Sequence, residues 1–350
     1  MDSTKKRIKW IDALRFIGMF SVYLSHLGTQ AGYFYPFCFR YQVSLFFFVS
    51  GAMEAISTKD LSLFESIRRK FKELVLPYFF FAFISILIII FSGNATFETL
   101  AKTSYQYLLG IRNRLFAPIL WFLPALFVIH VIFSSLKKLL KNRWFILLLG
   151  LALLVISETL LPHRPIVDPS WPWNVDSVMY YFFYFALGYA LFPYIRQLLS
   201  SSSKLAHFGV IFSGLLVAVY AVVFLLGKDL IAVLFNRVPN SGPVGLVLSE
   251  ITLIWFCIIL SQIISNIELF QLIGRNTLFL TGSEQIIRHL TPPLLSLLGL
   301  NLNISSPLSA MVFTFIALIV AVYLIVPFLK TFYENIVKFF TVKAKEKVEA

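Results

Sequence analysis

Charge is scarce in this chain. Only 13% of its 350 residues are charged, against roughly a quarter in a soluble domain, while 59% are hydrophobic and 17% aromatic. A water-soluble globule is excluded by that balance. Cysteine is scarcer still: the two present, Cys38 and Cys257, provide neither a disulfide framework nor metal-ligand spacing, and no metal is expected. No repeat, soluble segment or long linker interrupts the chain, so residues 1–350 read as one membrane-embedded domain whose last stretch, 330–350, is a basic cytoplasmic tail. The basic start leads into an apolar stretch broken by Asp12, Arg15 and His26 with no small-residue cleavage site, which reads as a retained helix and not a signal peptide.

What the chain has in abundance is long apolar runs. They predict an all-α, polytopic membrane protein with about ten transmembrane helices, near 10–30, 43–57, 73–92, 118–136, 144–161, 177–195, 205–226, 243–264, 276–297 and 307–329, because a bilayer span needs about 20 apolar residues and a helix satisfies its own backbone in lipid. The net charge of +13 would suggest nucleic acid in a soluble protein. Here Lys and Arg gather in short loops on the amino-terminal side, which makes the partner a lipid bilayer, excludes nucleic acid as the reading and puts both termini in the cytoplasm. The run at 276–297 is broken by Gly282, Ser283, Glu284, Gln285, Arg288 and Pro292-Pro293, as expected of a helix that lines a cavity.

Arg15 and His26 are the most costly residues of the first apolar run. Eleven residues turn a helix by about 1100°, three turns plus roughly 20°, so the two share one face about 16 Å apart along the axis. Histidine, whose ordinary pKa is about 6.5, can accept a proton from a hydroxyl near neutrality. It needs an orienting carboxylate, for which Glu284, Asp12 and Glu54 are the candidates. The basic segment containing Arg68, Arg69 and Lys72 precedes Leu76-Pro77-Tyr78 and suits the phosphates of an acyl-CoA, although the positive-inside bias alone also puts cations there. His130 reads as a structural hydrogen-bonding residue. The stretch from Pro162 to Asp176 mixes Trp171, Trp173 and Asp176 with His163 and Arg164, a set that suits a sugar ring or an interfacial aromatic belt.

Several segments resemble the acyltransferase type 3 family of integral-membrane O-acyltransferases, particularly its branch similar to fucose 4-O-acetylases. They are IDALRFIGMFSVYLSH with Arg15 and His26, FFFVSG at Phe46 to Gly51, the basic run ending in LPYFFF at Phe81, LWFLPAL at Leu120 to Leu126, WPWNVDSVMYYFFYFALGY at Trp171 to Tyr189, and IGRNTLFLTGSEQIIR at Ile273 to Arg288. The resemblance implies a ten-helix enzyme of the bacterial inner membrane that moves an acetyl group from cytoplasmic acetyl-CoA to a hydroxyl of a cell-surface polysaccharide or lipid-linked glycan. It also implies His26 as the central catalytic residue and Arg15 as its partner. Glu284 becomes the candidate orienter, Arg68, Arg69 and Lys72 the acyl-CoA-binding group, and Trp121, Trp171, Trp173 and Asp176 the glycan-binding group. Many relatives have Arg-x-x-Arg where this chain has Arg69-Lys70-Phe71-Lys72, and lysine lacks the bidentate fork. A glycolipid transporter or flippase is the competing reading, since intramembrane charge and a broken helix also suit a substrate pathway.

Overall fold

The computed structural model describes residues 7–57, 61–93, 95–236, 242–297, 299 and 304–349. Met1 to Lys6 of the basic start and Ala350 of the tail lie outside the described residues. Within them the fold is all-α. Its helices are α1 (Lys9–Ser25), α2 (Phe34–Ile56), α3 (Leu63–Phe91), α4 (Phe97–Leu109), α5 (Pro118–Leu140), α6 (Arg143–Thr159), α7 (Val175–Leu199), α8 (Lys204–Leu225), α9 (Leu230–Asn236), α10 (Gly242–Ile264), α11 (Glu268–Arg275), α12 (Thr277–Leu297) and α13, which starts at Pro307 and ends at Glu349.

Six of these are long and apolar enough to cross a membrane: α3, α5, α8, α10, α7 together with its lead-in from Pro172, and α13 as far as Lys338. The other four expected spans also fall on helices, but of a different kind. α1 and α6 have 17 residues each, and α2 and α12 enclose Arg40, Gln42 and Glu54, and Glu284, Gln285 and Arg288. The short helices α4, α9 and α11 lie where the hydropathy pattern indicates connecting segments. α3 differs as well: it begins at Leu63, so Arg68 to Lys72 are helical and not a loop, and a π-helical turn at Phe71–Val75 resets its register before Pro77. Ser62 and Glu65 form a reciprocal capping box that starts it there.

The bilayer-facing surface is plain on α8, where Leu205, Phe208, Ile211, Phe212, Leu215, Leu216, Val219 and Val222 are all exposed. Helices in lipid gain little from burying such groups and associate instead through close packing. α2 and α7 do this with two glycines. A Cβ on Gly51 would stand 1.9 Å from the Phe185 carbonyl oxygen, and one on Gly188 would stand 2.0 Å from that of Phe48. α1 lies at the centre, packed by α2, α10, α11, α12 and α13. Gly274 of α11 brings that helix onto the Asp12 backbone, 1.8 Å from where its Cβ would be. Each end of α1 therefore meets α11 or α12, and both polar sites are built there.

Candidate active site

α1 stops at Ser25, and His26 is its C-cap, the backbone N–H donating to Val22 O. The ring faces α12: Nδ1 lies 3.0 Å from Glu284 Oε1. Glu284 is nearly enclosed, 8% exposed, whereas His26 keeps 22% of its side chain open. With an ionised carboxylate as acceptor, Nδ1 carries the proton and Nε2 presents its lone pair.

Neighbouring bonds fix this pair in place. Tyr23 OH donates to Leu280 O at 2.7 Å, tying α1 to α12 one turn before Glu284. Ser25 Oγ donates to Gln42 Oε1 at 3.0 Å, tying it to α2. Gln285, next to Glu284, accepts from Ser85 Oγ at 2.7 Å and donates to Phe81 O. Tyr107 OH donates in turn to Ser85 Oγ and accepts from Ala117 N. Glu284 and Gln285, two of the polar residues that interrupt the apolar run of α12, are thus its attachments to α1 and α3.

At the other end of α1, Asp12 is 3% exposed and gathers three guanidinium groups. Arg7 Nε is 2.9 Å and Arg275 Nε 3.3 Å from Oδ2, and Arg15 Nη1 is 3.6 Å from Oδ1. Arg275 also donates to Gln271 Oε1 at 2.8 Å. Its neighbour Asn276 accepts from Lys330 Nζ of α13. Arg275 and Lys330 had no assigned role in the sequence. The usable signal was the Gly-Arg-Asn step at 274–276, where a glycine permits close approach and a cation follows it.

The remaining expected site residues are dispersed. Arg69 Nε pairs with Glu73 at 3.2 Å, and Lys70 Nζ sits 3.2 Å from Glu54 and 3.3 Å from Glu73. His130 Nδ1 is 3.6 Å from Glu54 in the same cluster. Arg68 and Lys72 are exposed. Asp176 is fully buried: it accepts from Ser170 N at 2.7 Å, Trp171 N at 3.2 Å and Ser177 N at 2.9 Å, and His163 Nε2 is 2.9 Å away. It is the clasp of its own loop. Trp173 takes a left-handed conformation, φ 56°, and donates Nε1–H to Leu108 O. Trp121 is buried beneath the Arg112 guanidinium, 5.1 Å from its ring centre, and of the four expected glycan-binding residues only Trp171 is exposed.

Two features were not foreseen. A cleft of about 460 Å³ is lined by Glu98, Lys102, Gln106, Arg114 and Phe116 among others. The Phe116 ring stacks on His289 of α12, 4.6 Å between centroids. Between α2, α7 and α10, Glu250 is buried and accepts from Ser44 and Tyr180, near an ion pair of Arg40 with Asp229 at 3.2 Å. A lone glutamate in an apolar run was the available signal.

An all-α body with a lipid-facing surface and a His–Glu pair at a helix end inside it defines a polytopic membrane protein. The chain belongs to the acyltransferase type 3 family, whose model, described as an acyltransferase domain, matches residues 8–326. It is a membrane acyltransferase. Neither the curated proteins nor the solved structures compared with it include a match.

Proposed function

We propose that the chain is an O-acetyltransferase of the bacterial inner membrane that transfers acetyl from cytoplasmic acetyl-CoA to a sugar hydroxyl of a cell-surface polysaccharide or its lipid-linked precursor. In this reading α1, α2, α6 and α12 complete a set of ten spans with both termini in the cytoplasm. The observation that carries the reading is the 3.0 Å contact of His26 with Glu284, at the opposite end of α1 from the Arg15 cations.

The chemistry follows from that contact. Glu284 holds the imidazole by Nδ1–H, so Nε2 takes the proton of the acceptor hydroxyl as its oxygen attacks the thioester carbonyl carbon. The C–S bond then breaks, and the CoA sulfur leaves as a thiolate that receives the proton back from Nε2. The products are an acetyl ester and free CoA, with atoms and charge balanced. Glu284 stabilises the imidazolium that exists between these steps.

The acceptor side is supported by the cleft beside Phe116. Glu98, Lys102 and Gln106 recur at four-residue spacing on one face of α4, and an aromatic ring among hydroxyl-binding side chains suits a sugar. Through His289 the cleft abuts the helix bearing Glu284, five residues or about 8 Å of rise away. Exposed Trp171 stays available to the glycan, whereas Asp176 and Trp173 serve the loop itself.

The test is single: purified protein in proteoliposomes, supplied with acetyl-CoA and a glycolipid extract, should release CoA thiol in step with ester formation. The His26→Ala variant should insert and fold but release none. Ester formation at the wild-type rate by that variant would overturn the assignment.

A further inference from the structure

Half of the cations in the expected phosphate-binding segment are already paired. Arg69 and Lys70 are matched by Glu73 and Glu54, which leaves the exposed Arg68 and Lys72 as its unmatched cations. The cluster at the start of α1 converges on a single acid: one buried carboxylate, Asp12, faces Arg7, Arg15 and Arg275, with Lys330 bound one residue beyond at Asn276. One carboxylate neutralises one cation. The excess is carried on side chains that are partly open, Arg15 being 25% and Arg275 39% exposed while Asp12 is 3% exposed.

We infer that Arg275 and Lys330, together with Arg15, form the binding site for the phosphates of the acyl-CoA donor. Asp12 and Gln271 hold the Arg275 guanidinium by Nε and one Nη, which pre-orients a planar fork of the kind that binds phosphate bidentately. The length of the donor agrees. Between diphosphate and sulfur the pantetheine arm has as many chain atoms as about four extended residues, roughly 15 Å. Arg15 and His26 are separated by about 16 Å of helix rise. Phosphates held at the level of Arg15, one turn inward of Asp12, therefore bring a thioester within reach of His26 without any helix moving. This inference rests on the acyltransferase reading above and names the residues that confer its donor specificity.

The experiment measures binding of acetyl-CoA and of S-acetyl-pantetheine, which lacks every phosphate, to the full-length protein in detergent. Arg275→Gln and Lys330→Gln should each weaken acetyl-CoA about tenfold, and S-acetyl-pantetheine should bind all variants alike. Lys330→Gln loses one hydrogen bond to Asn276 and keeps the test valid if Arg275→Gln, which also unties α11 from α1, melts at a lower temperature. Lys72→Gln should weaken acetyl-CoA less than either. Wild-type acetyl-CoA affinity in both variants, an equal loss for the two ligands, or a larger loss in Lys72→Gln overturns the site. A wild-type protein that binds neither ligand overturns the acetyl-CoA donor reading beneath it.

Discussion

His26 and Glu284 stand 258 residues apart in the chain and 3.0 Å apart in space. Their contact joins the C-cap of α1 to the middle of α12, and in the proposed mechanism it leaves Nε2 as the working nitrogen of the imidazole. Removing the carboxylate should therefore cost turnover more than substrate binding. Glu284→Gln is expected to lower kcat about 100-fold, with the KM for acetyl-CoA changed by less than about threefold. Steady-state CoA release at saturating acceptor checks this.

The loop clasp predicts a different phenotype for Asp176. Its carboxylate takes three backbone donors and lies beside His163, and bonds to a charged group are worth about 1.5–3 kcal/mol each. Asp176→Ala should lower the melting temperature and open residues 163–176 to limited proteolysis. Trp171→Ala should leave both unchanged. Equal protease resistance in Asp176→Ala and wild type would contradict the structural role.

The glycine crossing of α2 and α7 should tolerate no side chain. Gly51→Ala or Gly188→Ala places a carbon about where a carbonyl oxygen stands, at a cost of about 1–3 kcal/mol for overpacking. Each variant should show reduced thermal stability in detergent with lower yield of folded protein. The double variant should lose less than the sum, because separating the helices once relieves both clashes.

Reversing charge in the cleft should act on the acceptor alone. Lys102→Glu is expected to raise the apparent KM for glycolipid severalfold while leaving the KM for acetyl-CoA in place. Whole-cell glycan NMR, read as loss of O-acetyl signals, gives the same answer without purified acceptor. A transporter would behave differently, moving glycolipid with no CoA released at all.

Much of this was legible in the sequence. Arg15 and His26 share a face because an α-helix repeats every 3.6 residues, which needs no partner to be true. Each expected span falls on a helix for a similar reason, as apolar length is local information. The carboxylates were not decided that way: Asp12, Glu54 and Glu284 were all candidates for His26 from the residues alone, and Glu284 was preferred. Folding gave Asp12 to Arg15, Glu54 to Lys70 and Glu284 to the imidazole.

The same division runs through the cations and the loops. Charge composition and positive-inside bias put Arg69 and Lys70 beside a membrane, but only the capping box and π turn of α3 turned them onto Glu73 and Glu54. Arg275 was one residue of a motif until Gly274 let α11 close onto Asp12. The sequence by itself determined an all-helical membrane acyltransferase with one polar face on its first helix, because hydropathy, helical period and motif order are properties of the chain read in line. Which charges cancel, which remain to meet an anion and which carboxylate holds His26 were decided by tertiary structure, since Coulomb and hydrogen-bond energies depend on distances that helix packing alone sets.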